Sequence, residues 1–209
     1  MLTENIDGIN FTIDEFGTLK RMNHCSKARD VVIPREICGE RVIALGKFFA
    51  DGDYCKVTIP DCVLGVEEFA FESASVKIVD WSSNCEAIPR ECFYNSSIKY
   101  LNNISHVILI DNGAFRNSFI ESITWPDACP EISAECFSGS KLRYLDNVSN
   151  ILKICTCAFK NTIDLQLDLS GVFGCTFEKG AFFTLEQNRV VLPYYVDEDK
   201  VQPAFDRPY

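Results

Sequence analysis

The sequence predicts a repeat solenoid, with a parallel β-sheet face built from coils of about 22 residues, and three observations carry that prediction. The first is a ladder of small-residue–Phe pairs: Ala70-Phe71, Cys92-Phe93, Ala114-Phe115, Cys136-Phe137, Ala158-Phe159 and Ala181-Phe182. Successive Phe positions lie 22, 22, 22, 22 and 23 apart, and Phe49 stands another 22 before Phe71. The second is a set of apolar columns that keep the register of this ladder. The third is an overlying period of 44, which relates Trp81 to Trp125, Cys85 to Cys129, Cys92 to Cys136, Tyr100 to Tyr144 and Asn103 to Asn147. A double period of this kind reads as growth by duplication of a two-coil unit.

The columns define one coil. Five residues after each Phe stand Val76, Ile98, Ile120 and Leu142; eight after stand Val57, Val79, Leu101, Ile123, Leu145 and Leu167. Ten after stand Ile59, Trp81, Asn103, Trp125, Asn147 and Leu169. This spacing is the L-x-x-L-x-L skeleton of a leucine-rich repeat, in which a short strand alternates inward and outward residues. Further apolar columns follow at fourteen residues (Val63, Cys85, Val107, Cys129, Ile151) and seventeen residues (Val66, Ile88, Ile110, Ile132, Ile154) after each Phe. One such coil cannot shelter its own apolar face, but stacked coils build a continuous core. Strands at Val76–Trp81, Ile98–Asn103, Ile120–Trp125 and Leu142–Asn147 are therefore expected to pair in parallel. The small residue-Phe pair belongs on the return side, where short turns or 3-10 segments are expected.

Open solenoid ends need covers. Residues 1–30 read as a β-hairpin cap, with Ile9–Ile13 as one strand, a turn near Asp14–Gly17 and a second strand at Thr18–Met22. Residues 31–188 then hold about seven coils, beginning at Val31-Val32-Ile33-Pro34. Residues 189–209 read as a last strand over Arg189–Val196 and an acidic tail from Asp197 with two prolines, expected to be mobile or to dock a partner.

The pattern resembles the BspA-like leucine-rich repeats, also called the Treponema pallidum type. Ile59-Pro60, Val66 and Ala70-Phe71 carry the likeness, together with Ile43–Phe49 and the opening Asp7-Gly8-Ile9-Asn10-Phe11, and it spans roughly Asp7 to Phe182. The resemblance implies a right-handed leucine-rich-repeat superhelix. It also implies the company of surface proteins that bind host proteins or other cells. The family often carries Cys three residues after the Phe, whereas this chain has Ala74, Ser96, Ser118, Ser140 and Thr162 there.

Composition narrows the function. The 209 residues are 47% hydrophobic and 24% charged, ordinary for a folded chain. A net charge of −10 argues against nucleic acid and anionic membranes as direct partners, because both need a basic face. The opening Met1-Leu2-Thr3-Glu4-Asn5 has no basic start or apolar run, and no stretch of about 18 apolar residues occurs. A cytoplasmic location is expected for the sequence as written, and the cell surface if a leader has been removed.

Chemistry-bearing motifs are few. Among the eleven cysteines, Cys85, Cys92, Cys129 and Cys136 replace core residues in their columns. Like cysteines lie two coils apart, about 10 Å by strand spacing, too far for a disulfide. Free thiols are therefore expected. Cys155 and Cys157 form the one close metal-like pair, and His24 and His106 are far from it in register, so no metal site and no cofactor are expected. His24-Cys25 reads as a polar cap turn. Phosphate-loop and nucleophile-elbow motifs are absent, and two histidines leave little acid–base capacity, so the expected role is non-enzymatic. Asn-x-Ser/Thr occurs at Asn10, Asn95, Asn103 and Asn147; the last two fall in an apolar column and are expected to satisfy backbone groups at a strand end.

The candidate functional surface is the outward strand face. Its columns read Lys77, Lys99, Glu121, Arg143; Ile78, Tyr100, Ser122, Tyr144; and Asp80, Asn102, Thr124, Asp146, Asp168. Tyr and Arg are favoured anchors in protein interfaces, and a solenoid holds them on a rigid frame. The expected partner-binding residues are Lys77, Asp80, Lys99, Tyr100, Asn102, Arg143, Tyr144 and Asp146. The expected function is protein–protein recognition, as a scaffold or adhesin-like module. The alternative is an acidic inhibitor that blocks a basic, nucleic-acid-binding groove of a target; a contiguous acidic ridge would favour it. The sequence leaves the partner's identity and the oligomeric state open.

Overall fold

The computed structural model describes residues 1–24, 29–47, 53–194, 196 and 198–208. They form a β-solenoid of about seven turns with parallel strands and almost no helix. Each coil has three flanks. The first carries the strands Arg29–Val32, Asp53–Thr58, Ser75–Asp80, Tyr100–Asn102, Ser122–Thr124, Tyr144–Asp146, Leu167–Asp168 and Val190–Val191. Partners differ by one repeat, as in Val79↔Leu101 and Ile123↔Leu145. The second flank stacks two-residue strands from Ala44–Leu45 and Gly65–Val66 to Lys153–Ile154 and Thr176–Phe177.

The third flank has no strand, yet its backbone still bonds from coil to coil. The Phe71 N–H donates to the Cys92 carbonyl at 2.8 Å, Phe93 to Ala114 at 2.8 Å, and Phe115 to Cys136 at 2.9 Å. Here the chain turns through left-handed residues on both sides of each Phe. Glu91 and Asn95 have φ of 48° and 56°, Gly113 and Asn117 62° and 55°, and Glu135 and Gly139 55° and 70°. Asn and Gly reach this region at low cost, whereas Glu does not. At Gly139 an added Cβ would also crowd the Asn117 side-chain amide.

The Phe ladder forms one internal stack. Ring centroids are 4.9 Å apart for Phe71–Phe93, then 5.5, 5.3, 5.6 and 6.0 Å on through Phe115, Phe137, Phe159 and Phe182. All six rings are buried. Stacked aromatic pairs contribute about 0.5–1.5 kcal/mol each beyond the burial of their area. The strand columns face the same core: Val76, Ile98, Ile120 and Leu142 are fully buried, as are Val63, Val107 and Ile151.

The 44-residue period has a packing cause. Trp81 lies against the Phe of its own coil and of the next, 6.5 Å from Phe71 and 6.0 Å from Phe93. One indole thus fills space beside two coils, and the neighbouring coil carries exposed Asn103 at the same position. Asn103 Nδ2 donates to the Trp81 carbonyl at 2.8 Å, and Asn147 Nδ2 to the Trp125 carbonyl at 2.7 Å. The expected backbone-satisfying role of both Asn residues is therefore observed. Their φ values of 60° and 61° turn the chain out of the strand, while the strands before Trp81 and Trp125 end at the same register without a left-handed residue.

Both ends differ from the sequence reading. The cap is a meander of three strands, β1 (Leu2–Ile6), β2 (Ile9–Ile13) and β3 (Thr18–His24). Asp7 and Gly8, at φ 49° and 80°, close the additional hairpin as a two-residue turn with both residues left-handed. Strand β3 joins the second flank in parallel, with Thr18↔Ala44 and Leu19↔Leu45.

At the other end, Val190–Val191 alone is strand, preceded by a 3-10 turn at Gln187–Arg189. The tail expected to be mobile instead contains helix α1 (Glu198–Phe205), which covers the last coil. Val201 and Ala204 are buried, and the Phe205 ring packs 5.1 Å from Phe182. The Ala204 carbonyl accepts the Phe182 N–H at 2.8 Å, taking the place of a further coil. Composition had suggested a solvated tail, but apolar Val201, Ala204 and Phe205 lie on one side of a short helix. Phe49 and Cys25 lie outside the described residues.

Candidate binding surfaces

The first flank holds its outward side chains in straight rows. Backbone N–H groups of Lys99, Glu121 and Arg143 donate to the carbonyls of Lys77, Lys99 and Glu121 at 2.8, 3.1 and 2.9 Å. Ile78 pairs with Tyr100, Asp80 with Asn102, Ser122 with Tyr144, and Thr124 with Asp146. The eight expected partner-binding residues therefore lie on one face, none of them buried.

They divide into two groups. Four are engaged with neighbouring coils. Asp80 binds Lys56 at 2.6 Å and accepts Asn102 Nδ2 at 3.0 Å and Thr58 Oγ1 at 3.3 Å. Partial burial raises the Asp80 pKa, but these contacts outweigh it and hold the carboxyl below its ordinary value. Lys99 Nζ meets Glu121 at 2.6 Å, and Tyr100 Oη donates to the other Glu121 oxygen at 3.1 Å. The Lys99 contact is the main cause of the lowered Glu121 pKa. The other four, Lys77, Arg143, Tyr144 and Asp146, form no ion pair or side-chain hydrogen bond among the described residues. Tyr100 is 42% and Tyr144 59% exposed, so both rings are open to contact.

Other charged groups also pair between coils. On the third flank Arg116 Nη1 meets Glu135 at 2.9 Å, and its guanidinium lies 4.6 Å from the Tyr94 ring centroid. Beside the second flank, Lys153 binds Glu178 at 2.8 Å. That contact, followed by bonds from the Thr156 side chain and backbone, lowers the Glu178 pKa.

Eight of the described thiols are buried packing groups, whereas Cys38 is exposed and Cys55 half-buried. Cys85, Cys92, Cys129 and Cys136 are buried and free. Burial pushes Cys92 and Cys136 well above the usual thiol range. Cys155 donates to Glu131 Oε1 at 3.0 Å; burial first, then that carboxylate, pushes it up to about 12. Among the described residues no group of three or more His, Cys, Asp and Glu side chains could hold a metal, and no helix is long and apolar enough to cross a membrane. His106 Nε2 lies 3.3 Å from the Cys85 carbonyl.

The profile of the BspA type leucine rich repeat region matches residues 45–166 in six copies. The chain belongs to the BspA-type leucine-rich repeat family. The BspA-type coils are similar in structure to a leucine rich cell surface protein from Faecalibacterium prausnitzii, at 19% identity and a TM-score of 0.59 over 85% of this chain and 54% of that one. They are also similar to a leucine-rich repeat protein from Bacteroides ovatus, at 22% identity and a TM-score of 0.63 over 78% of this chain and 46% of that one. The chain thus spans about half the length of both structures, and at these identities the likeness speaks for the fold alone. No curated protein gives a significant match.

One column of the BspA-type coil was missed in the sequence reading. Fifteen residues after the ladder Phe stand Leu64, Ile108 and Leu152, 44 apart and exposed by 62%, 52% and 55%. The double period was the signal. The adjacent column at fourteen faces the core, and because two consecutive residues in a strand-like segment cannot both do so, the column at fifteen faces outward.

Proposed function

We propose that this chain is a non-catalytic protein-recognition module, adhesin-like in character, that presents its outward strand face to a protein partner. The observation that carries the reading is the pair of exposed rings, Tyr100 and Tyr144, two coils apart on one flat flank with Lys77 and Arg143 beside them. Large amphipathic rings on a rigid frame lose little entropy on binding. Membership of a repeat family supports the same class.

The inhibitor alternative gains no support. Carboxylates on this face alternate with lysines, as in Lys56–Asp80 and Lys99–Glu121, and do not form a contiguous acidic ridge. Direct recognition of nucleic acid or membrane is not part of the reading. A cell-surface location is favoured over the cytoplasm by the description of the Faecalibacterium prausnitzii neighbour. The buried thiols Cys92 and Cys136 do not oppose it, because burial keeps them protonated and unreactive, whereas Cys38 is free and exposed.

The test is the double variant Tyr100→Ala with Tyr144→Ala. Its thermal midpoint should stay within about 2 °C of the parent, since exposed side chains contribute little to stability. Proteins captured from native extract by the parent and resisting high-salt washing should be lost. Retention of the same proteins would remove this face from the function.

A further inference from the structure

The corner between the first and second strand flanks carries an apolar ridge that the strand-face reading leaves unused. Ile43, Leu64, Ile108, Leu109, Leu152 and Phe173 are 39–64% exposed along it. They are aligned by the coils themselves: the N–H groups of Leu64, Ile108 and Leu152 donate to the carbonyls of Ile43, Glu86 and Pro130 at 2.9, 2.9 and 2.7 Å. In the coils between them the same position holds Glu86 and Pro130, so the apolar side chains recur at every second coil. Scattered exposed apolar residues need no explanation, but a column of them aligned along one corner marks a contact surface.

The charge around the ridge identifies what fits it. Glu86 lies within the ridge, Asp127 begins the turn that leads to it, and Asp146 and Asp168 line the adjoining edge of the strand face. None of these carboxylates forms an ion pair among the described residues, in contrast to Asp80, Glu121 and Glu178. A second copy of this chain, at net charge −10, would bring like charge to the ridge.

The length favours a helix. Six coil steps at about 4.8 Å span about 29 Å, the length of an α-helix of about 19 residues. Leu64, Ile108 and Leu152 recur every second coil, about 9.6 Å, close to the ~10.8 Å of two helical turns, whereas an extended strand repeats its same-face side chains every ~6.7 Å.

We propose that this ridge docks an amphipathic α-helix of a partner protein, with apolar side chains along Leu64–Ile108–Leu152 and Lys or Arg side chains over the flanking carboxylates. The apolar ridge shares Asp146 with the strand face but none of its rings, so the Ile108/Leu152 and Tyr100/Tyr144 variants let the two readings fail independently.

The probe is a fluorescein-labelled 18-residue Leu/Lys peptide with its leucines on one helical face, followed by fluorescence anisotropy. The full chain should bind it and induce helix on circular dichroism. Ile108→Gln with Leu152→Gln, which leaves the charge unchanged, should weaken binding at least ~10-fold. Glu86→Gln with Asp168→Asn should weaken it several-fold and flatten its salt dependence. Tyr100→Ala with Tyr144→Ala should bind as the parent does. No binding by the parent, or equal binding by the Ile108/Leu152 variant, would overturn the proposal. So would a sedimentation dimer of the parent that this variant abolishes, since that would assign the ridge to a second copy.

Discussion

The middle coils and the two ends of this solenoid bury apolar surface by different means. Between Phe71 and Phe159 every coil receives the same partner on each side, so one ring, one strand rung and one turn repeat. At the ends the partner is missing and an unlike element replaces it. Strand β3 extends the second flank at the start, and helix α1 lays Ala204 and Phe205 over Phe182 at the finish. In nearest-neighbour terms, a middle coil holds two interfaces and an end coil holds one natural and one improvised interface.

That contrast is most sharply tested by paired truncations. Phe115→Ala removes a fully buried ring stacked on both sides and should cost about 3–5 kcal/mol in urea or thermal unfolding. Phe205→Ala removes a half-buried ring and should cost about 1–2 kcal/mol. Its effect should be local, read as faster hydrogen exchange at the Phe182 N–H with the Phe115 N–H unchanged. Equal losses for the two variants would mean that the helix is as integral as a coil.

A smaller effect is expected at the two-coil unit. Asn103→Ala loses both the bond to the Trp81 carbonyl and a residue suited to φ 60°, and should cost about 1–2 kcal/mol. Asn103→Gly restores the backbone freedom alone and should recover part of that loss. If both variants matched the parent, the Asn would be incidental to the Trp packing.

The smallest effect concerns charge. The Glu178 carboxyl is held below its ordinary value of 4.5, chiefly by Lys153, then by Thr156. Its folded-state pKa is depressed, so its contribution is fully present above that ordinary value and is lost as the pH falls through the lower, folded-state value. Glu178→Gln should therefore flatten the acid limb of a melting-temperature profile and change little near neutral pH. Because the pair is well exposed, the difference should be slight.

Much of this architecture was legible because stacking forces the sequence to repeat. The spacing of Phe71 to Phe159 and the columns through Val79 and Ile88 could hardly be produced by anything but stacked coils. The free, buried Cys85 and Cys136 were readable for the same reason, since each replaces an apolar residue in a column. The ends were read less well. The third strand of the cap was announced by Asp7-Gly8 between Ile6 and Ile9, a signal for a hairpin that a repeat search passes over. Helix α1 carried no periodic signal at all, because it occurs once and its apolar side is defined only by what it covers.

On the candidate surfaces, sequence columns placed Tyr100 and Tyr144 outward but could not distinguish engaged from available groups. Alternation along a strand determines which side a residue faces; contacts between coils determine what that residue meets there. Sequence alone therefore determined the coil length, the Phe spine, the inward columns and the outward rows, because each is a periodic demand of one repeat on the next. Only the tertiary structure decided that Asp80 and Tyr100 are tied to neighbouring coils while Lys77 and Tyr144 are not. It also decided that Leu64, Ile108 and Leu152 form a line and that the tail closes the core. Those outcomes depend on distances between residues a coil or more apart, and such distances exist only once the coils have stacked.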